Sequence, residues 1–146
     1  MNRLDIINKI CERHGISLAY LFGSCAEQAF QYLKGMEINV EDPLADIDIG
    51  VVFQKELAGP AERLHLYAEI STEFGDLFTP YPVDLCFLQE NHAVFKLEVI
   101  KGYNIYAVSR QYKETFEEMV LRRAADFKPV LDLFFKEALE EVINGH

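Results

Sequence analysis

The sequence predicts an α/β fold, because short apolar strands alternate with segments of helical periodicity. Three runs, residues 17–22, 46–53 and 82–88, have the length and composition of buried strands. The segments between them repeat apolar residues at helical spacing, and a helical pattern fills the chain from 109 to about 143. No repeat, low-complexity tract or linker interrupts the pattern, so we expect residues 1–146 to form a single domain.

The first half of the chain contains two of the predicted strands. An amphipathic helix is expected before Gly15, and the run SLAYLF at 17–22 then reads as a strand. Residues 24–33 have weak helical character, and residues 34–45 carry the Gly, Asn, Asp and Pro typical of a loop. The run DIDIGVVF at 46–53 follows as the second strand. Its last three residues are apolar on both faces, which predicts a covered central strand.

The second half adds one main strand and most of the helix. A helix is expected over 60–75, a strand over 82–88, a short helix over about 91–100 and a small edge strand over 103–108. The C-terminal helical arm, about 109–143, has Ser109 as its N-cap candidate, and Pro129 should kink or split it. Its aromatic residues, including Phe127, Phe134 and Phe135, are interpreted as core packing, with part of the stripe available to an oligomer or partner interface.

Composition limits the classes of function. The net charge is −10, from 24 acidic and 14 basic residues, which argues against a general nucleic-acid binder and fits a metal-dependent site or a basic partner. The three cysteines, at 11, 25 and 86, form no C-x-x-C pair and are expected to be reduced, buried thiols. The N-terminus does not resemble a signal peptide, and no apolar run approaches the roughly 20 residues of a membrane span, so we expect a cytoplasmic protein.

Three aspartates stand out against their apolar surroundings. Asp46 and Asp48 are two residues apart on a predicted strand, so their side chains share one face. Asp84 lies in a similar apolar strand, and the three carboxylates converge if the two strands are neighbours. Their mutual repulsion then raises a pKa or requires cations, for which Mg²⁺ is the natural candidate. The alternative is a solvated polar face at the strand ends.

A Gly-Ser pair ends the first strand. Gly23 allows backbone geometry closed to other residues or close approach by a ligand, and Ser24 offers a hydroxyl where a helix begins. Alone, such a pair is usually a turn with an N-cap. It gains weight because an acidic pair follows on the next strand.

Together these motifs resemble the DNA polymerase β-like nucleotidyltransferase superfamily. Within it, LFGS, ADIDIGVVF and PVDLCFL look like the minimal nucleotidyltransferase (MNT) proteins of prokaryotes. The C-terminal region, from ENHAVFKLEVIKGYNIYAVSR through ADFKP, resembles the antitoxin members that pair with HEPN-domain toxins. The resemblance implies a small mixed sheet flanked by helices, with the long helical arm following it.

The resemblance also implies a mechanism. Gly23 and Ser24 would hold the β- and γ-phosphates of a nucleoside triphosphate, and Asp46 and Asp48 would bind two Mg²⁺ ions. Asp84 would ligate one metal and help to activate the acceptor hydroxyl, which attacks the α-phosphate as pyrophosphate leaves. In the antitoxin branch the donor is ATP, the transferred group is AMP, and the acceptor is a tyrosine hydroxyl of the toxin.

Two departures from the family pattern leave alternatives open. The family usually reads G-S-x-A-R-G, whereas this chain has Glu27 and Gln28 in place of the arginine and second glycine. The gap from Ser24 to Asp46 is also longer than usual, through an apparent insertion near 30–42. The Glu27-Gln28 departure favours a binding module, an antitoxin with a weakened site that neutralises its partner by contact, whereas the intact Asp46, Asp48 and Asp84 favour the enzyme. A third possibility is nucleotide transfer to a small-molecule hydroxyl.

Four other residues are weaker candidates for a functional role. His65 is expected on a helix surface and His92 as a local helix cap, rather than as catalytic bases. Lys101 and Arg110 could reach a nucleotide phosphate, although a solvated surface role is the favoured interpretation.

Overall fold

The computed structural model describes residues 1–38 and 45–143, and within these ranges six helices surround a four-stranded sheet. The strands are β1 (Ile16–Phe22), β2 (Ile47–Phe53), β3 (Val83–Phe87) and β4 (Tyr103–Ala107). The helices are α1 (Arg3–His14), α2 (Ala26–Leu33), α3 (Pro60–Phe78), α4 (Ala93–Ile100), α5 (Arg110–Ala125) and α6 (Lys128–Ile143). A 3-10 turn, Leu88–Glu90, follows β3.

The sheet is mixed, with the strand order β3-β2-β1-β4. β2 pairs antiparallel to β1 and parallel to β3, and β4 pairs antiparallel to the other side of β1. The expectations of a covered central β2 and an edge strand at β4 are therefore confirmed. This arrangement brings the end of β1 and the beginnings of β2, β3 and β4 to one edge of the sheet.

Helices cover both faces of the sheet. The larger core places apolar side chains of the sheet against α1, α2 and α3, and the smaller core packs Leu18, Tyr20 and Val52 against α4 and α5. Alternation along β2 explains the division, because Ile47, Ile49 and Val51 belong to the larger core and Val52 to the smaller one. None of the helices within the described ranges is long and apolar enough to cross a membrane.

The helix boundaries follow local sequence signals. Asn2 and Asp5 form a capping box at the start of α1, and Gly15 ends it in the left-handed region with φ 69°. The Ser109 hydroxyl accepts a hydrogen bond from the Tyr112 backbone N–H at 3.0 Å, so the expected cap of α5 is confirmed. The C-terminal arm is split between α5 and α6, and Pro129 falls in the first turn of α6, where its missing donor is tolerated.

Several sequence-based boundaries are corrected. β2 begins at Ile47, so Asp46 precedes the strand instead of lying on it. α3 continues to Phe78, three residues beyond the expected end, because Phe74 and Phe78 are buried in the core. Part of the expected loop at 34–45 and of the insertion near 30–42 lies outside the described residues. So do the side chains of Phe134 and Phe135, whereas Phe127 is 38% exposed and its ring contacts His92.

Candidate active site

The three aspartates gather at the edge of the sheet where β2 and β3 begin. The parallel register places Asp48 directly opposite Asp84, and the antiparallel register places Phe22, the last residue of β1, on the other side of Asp48. Asp46 lies one residue before β2. Asp48 and Asp84 therefore lie on neighbouring strands as expected, with Asp46 at the start of the same edge but outside the strand.

Electrostatic coupling among the acids is centred on Asp48. Partial burial raises the pKa of the Asp48 carboxyl above its ordinary value, and the negative charges of Asp84 and Asp46 raise it further. The negative charges also act on Cys86, because burial and then Asp84 and Asp48 raise the pKa of its thiol to about 12. A site that disfavours its own ionised carboxylates is one that a cation would stabilise.

Burial of the acids differs from the expectation. Asp48 is half-buried, but Asp46 and Asp84 are exposed. The sequence argument that two acids enter a covered strand therefore holds for Asp48 alone, because the other two stand at solvent-facing strand ends. The exposed positions leave the two outer carboxylates open to a ligand.

Gly23 connects β1 to this acidic group. Its φ of 79° lies in the left-handed region that favours glycine, and a Cβ placed on it would collide with Oδ2 of Asp48. Of the two interpretations offered by the sequence, unusual backbone geometry is confirmed at this residue, and close approach by a ligand stays a prediction. The group that approaches is the protein's own carboxylate.

Ser24 is exposed beside Gly23, and it does not cap α2. The N-cap position belongs to Cys25, which makes no side-chain capping bond, and the Ser24 Oγ lies 3.9 Å from the Cys25 Sγ. The simplest structural explanation for this serine, a helix N-cap, is therefore wrong. Ser24 lines a cavity instead.

That cavity has a volume of about 420 Å³ and lies between two turns at the same edge of the sheet. The β1–α2 turn supplies one wall, and the end of α4 with the start of β4 supplies the other. Its polar or charged lining residues are Ser24, Glu27, Gln28, Glu98, Lys101 and Tyr103. The cavity thus joins the Gly-Ser turn to side chains that are about 75 residues away in the chain.

The acids have the chemistry that a divalent cation requires, since carboxylate oxygens are the ligands that Mg²⁺ prefers. Across the described ranges, however, no three His, Cys, Asp or Glu side chains are arranged as a preassembled metal group. The carboxylate donors suit the ion chemically, although the described side chains do not form a ready-made site. Asp46, Asp48 and Asp84 are the residues that would hold it.

The weaker candidates are placed as the sequence indicated, with one exception. His65 lies on α3 and pairs with Glu69 at 2.8 Å, and the His92 Nδ1 caps α4 by accepting from the Val94 N–H at 3.2 Å. Arg110 pairs with Glu114 on the surface of α5. Lys101 is the exception, because it lines the cavity beside Ser24.

A larger cavity of about 680 Å³ lies between α1 and α3, away from the aspartates. Its ionisable side chains are paired with one another: His14 and Arg13 contact Glu73, and His65 contacts Glu69. The pairs with Glu73 join α1 to α3, and the pair of His65 with Glu69 lies within α3. The smaller cavity, whose lining residue Gly23 lies against Asp48, is therefore the candidate active site.

A mixed four-stranded sheet with acids opposite each other on parallel strands, beside a Gly-Ser turn, defines a nucleotidyltransferase fold. Comparison of the sequence with known families agrees: residues 5–111 match the family described as "Polymerase beta, Nucleotidyltransferase". The chain belongs to this family. No curated protein matched the sequence.

Solved structures of MNT antitoxins share the fold. A mutant of the MntA toxin–antitoxin complex, with two aspartates two positions apart changed to glutamate, aligns with a TM-score of 0.62 and 18% identity over 95% of this chain and 99% of that one. An MNT antitoxin solved with a tri-AMPylated HEPN toxin of Shewanella oneidensis aligns with a TM-score of 0.59 and 18% identity, over 94% of this chain and 96% of that one. A toxin–antitoxin structure with AMP-PNP aligns with a TM-score of 0.63 and 18% identity, over 93% of this chain and 98% of that one.

Proposed function

We propose that this protein is a Mg²⁺-dependent nucleotidyltransferase that transfers AMP from ATP to a hydroxyl of a protein partner, as the antitoxin of an MNT/HEPN-type pair. Residues 1–146 would act as one domain, with α5 and α6 as its helical arm. Because the donor is ATP, we place the activity in the cytoplasm. The structural neighbours support this proposal, since they include a tri-AMPylated HEPN toxin bound to an MNT antitoxin.

The observation that carries the proposal is the pairing of Asp48 with Asp84 across two parallel strands, beside Gly23. Partial burial and then the charges of Asp84 and Asp46 raise the pKa of Asp48, so this group of carboxylates favours cations. The Gly23-Ser24 turn opens next to them into a cavity wide enough for phosphate groups. Acids and cavity are therefore adjacent, as transfer from a bound triphosphate requires.

The chain's residues would divide the chemistry as follows. Ser24 and the backbone of Gly23 would position the β- and γ-phosphates, and Asp46, Asp48 and Asp84 would hold two Mg²⁺ ions. Bound metal would stabilise charge on the attacking and leaving oxygens. The acceptor oxygen bonds to the α-phosphorus, the bond to the bridging oxygen breaks, and pyrophosphate leaves. Asp84, which is exposed, would help to activate the acceptor hydroxyl and receive its proton.

The partner side of the proposal is supported by the helical arm. The side chains of α6 that the structure describes are all exposed, and three of them, Leu139, Val142 and Ile143, are large and apolar. With a net charge of −10, the chain would favour a basic partner over a second copy of itself. A HEPN-domain toxin is the partner that we propose.

A second candidate function, neutralisation by binding alone, is favoured by one specific observation. Glu27 lines the cavity at the place where the family usually has arginine, and Glu98 adds a second carboxylate to the same walls. Negative charge there opposes a triphosphate, so the chain could retain the fold and the partner while turning over slowly. The two candidates share the partner and differ in whether AMP is transferred.

The test combines the purified chain with ATP labelled on the α-phosphate, Mg²⁺ and the product of the adjacent gene. We expect label on a tyrosine of the partner, and its loss when Mg²⁺ is chelated. A stable complex that acquires no label would replace the enzyme with the binding module. Absence of both label and complex would contradict the antitoxin assignment itself.

A further inference from the structure

The cavity beside Gly23 and Ser24 is lined by a basic side chain that does not belong to the family motif. Lys101, the C-cap residue of α4, lines this cavity together with Ser24 and Glu27. The sequence alone favoured a solvated surface role for this lysine. The fold places it across the cavity from the position where the family's arginine is replaced by Glu27.

The position of Lys101 is fixed by backbone packing. Its N–H donates to the Leu97 carbonyl at 3.3 Å, and the Gly102 N–H donates to the Val99 carbonyl at 3.0 Å, which closes the end of α4. A Cβ on Gly102 would collide with the backbone carbonyl oxygen of Leu21. Only glycine therefore lets this turn approach the end of β1 so closely.

The two walls of the cavity are also held in place by aromatic contacts. The Phe95 ring of α4 meets the Phe22 ring at the end of β1, with centroids 5.7 Å apart. The Tyr103 ring, directly after the turn, stacks on Phe30 of α2 at 4.7 Å. Lys101 is thus carried on a turn that is packed against both β1 and α2.

The side chain can respond to a ligand. Lys101 is about half exposed and contacts Glu98 at 3.3 Å, an exposed i, i+3 pair of the kind that contributes little to stability. A phosphate group carries more negative charge than one carboxylate and competes for the same ammonium. Glu98 would then hold Lys101 near the cavity until a phosphate arrives.

We infer that Lys101 binds the triphosphate of the donor nucleotide, and that it replaces the arginine missing from the motif after Ser24. This inference rests on the proposed function, because it names a binding residue of the same site. It assigns opposite effects to two residues of one cavity. Lys101 favours phosphate, whereas Glu27 opposes it.

The test is binding of AMP-PNP with Mg²⁺, measured by calorimetry on the intact chain without any partner, so that no catalytic turnover is needed. Lys101→Ala should weaken binding about tenfold or more, and Lys101→Arg should retain most of it, because charge-assisted phosphate contacts are among the strong polar interactions. Glu27→Gln should tighten binding. Glu27→Arg should restore it in the Lys101→Ala background.

Two controls separate phosphate binding from a structural role. Lys55→Ala removes the same charge from an exposed position outside the cavity and should leave affinity unchanged. Glu98→Gln breaks the same ion pair while keeping the lysine, and it should bind at least as tightly as the wild type. If Glu98→Gln instead weakens binding as much as Lys101→Ala does, the lysine acts only through the pair and the inference is wrong.

The remaining outcomes distinguish this inference from the proposed function. If Lys101→Ala binds AMP-PNP as tightly as the wild type and has the same melting temperature, the inference is overturned and the nucleotidyltransferase proposal stands. A wild-type chain that does not bind AMP-PNP at all overturns both, because the site then takes no nucleotide.

Discussion

At the scale of single residues, Asp48 connects the parts of the site. It lies opposite Asp84 on the neighbouring strand, and its carboxylate occupies the space that a side chain at Gly23 would need. Of the three acids, it is the half-buried one. The D-x-D spacing and the apolar flanks identified this residue from the sequence. Its unequal burial relative to Asp46 and Asp84 depends on where β2 begins and on its neighbours across the sheet, which local sequence does not encode.

Replacing Asp48 by Asn should stabilise the protein near pH 7. The raised pKa means that the folded protein disfavours the ionised carboxylate. The free energy of unfolding therefore falls as the pH rises from the unfolded-state pKa of 3.8 through the higher folded-state pKa, and the loss is complete above both. Asn removes this cost, so the free energy of unfolding should rise, by less than about 1 kcal/mol because solvent screens a half-exposed group.

Urea denaturation at pH 7 and at pH 4 measures the effect. The gain from Asp48→Asn should shrink at the lower pH, because the carboxyl carries less charge in both states there than at pH 7. Asp76→Asn, at an exposed position on α3, is the matched control and should change little. A variant less stable than wild type at pH 7 would show that the carboxylate is stabilising instead.

Gly23 should be less tolerant of alanine than a glycine with a similar backbone. Gly15 has φ 69° and nothing within 4 Å of an added Cβ, whereas Gly23 has φ 79° and the Asp48 carboxylate in the way. Both substitutions carry the left-handed backbone penalty of about 1–2 kcal/mol. Only Gly23→Ala must also displace Asp48, so it should be the more destabilising and should weaken nucleotide binding, as measured by thermal unfolding and calorimetry. Equal effects of the two substitutions would contradict the contact.

At the scale of elements, most helices and strands follow from periodicity and capping residues. The division of the arm into α5 and α6 follows from Pro129, and the cap at Ser109 follows from its position before the apolar pattern. The cavity could not be predicted, because it forms where the β1–α2 and α4–β4 turns meet. The available signal was Gly102 directly after a helix and before a strand, at a turn too close to β1 for any side chain.

Helix α6 should contribute to partner binding and little to the stability of the fold. Leu139 and Val142 are 60% and 76% exposed, so changing each to Glu removes no buried apolar contact. Leu139→Glu/Val142→Glu should leave the melting temperature within about 2 °C of wild type and weaken the complex with the adjacent gene product at least about tenfold. Glu137→Gln, on the same helix, is the control. Unchanged affinity of the double variant would exclude this surface.

At the scale of the whole molecule, strand order turns separate motifs into a site. Gly23-Ser24, Asp48 and Asp84 are adjacent because β1, β2 and β3 are neighbours, with β3 parallel to β2. Motif spacing indicated a possible cation site, and the resemblance supplied the class of protein and the expected topology. The sequence named Lys101 and Arg110 alike as residues that could reach a phosphate, and only the assembled fold places Lys101 in the cavity beside Ser24.

The central claim is that Asp46, Asp48 and Asp84 form the active site for nucleotide transfer, and the rate of that transfer tests the claim most directly. With Mg²⁺, ATP and the partner present, single-turnover labelling should fall at least about a hundredfold in Asp46→Asn/Asp48→Asn and in Asp84→Asn, because such sites supply most of the charge stabilisation. Asp76→Asn should label at the wild-type rate. Labelling that persists unchanged in the folded aspartate variants, or that is equally lost in Asp76→Asn, would contradict the assignment of the active site.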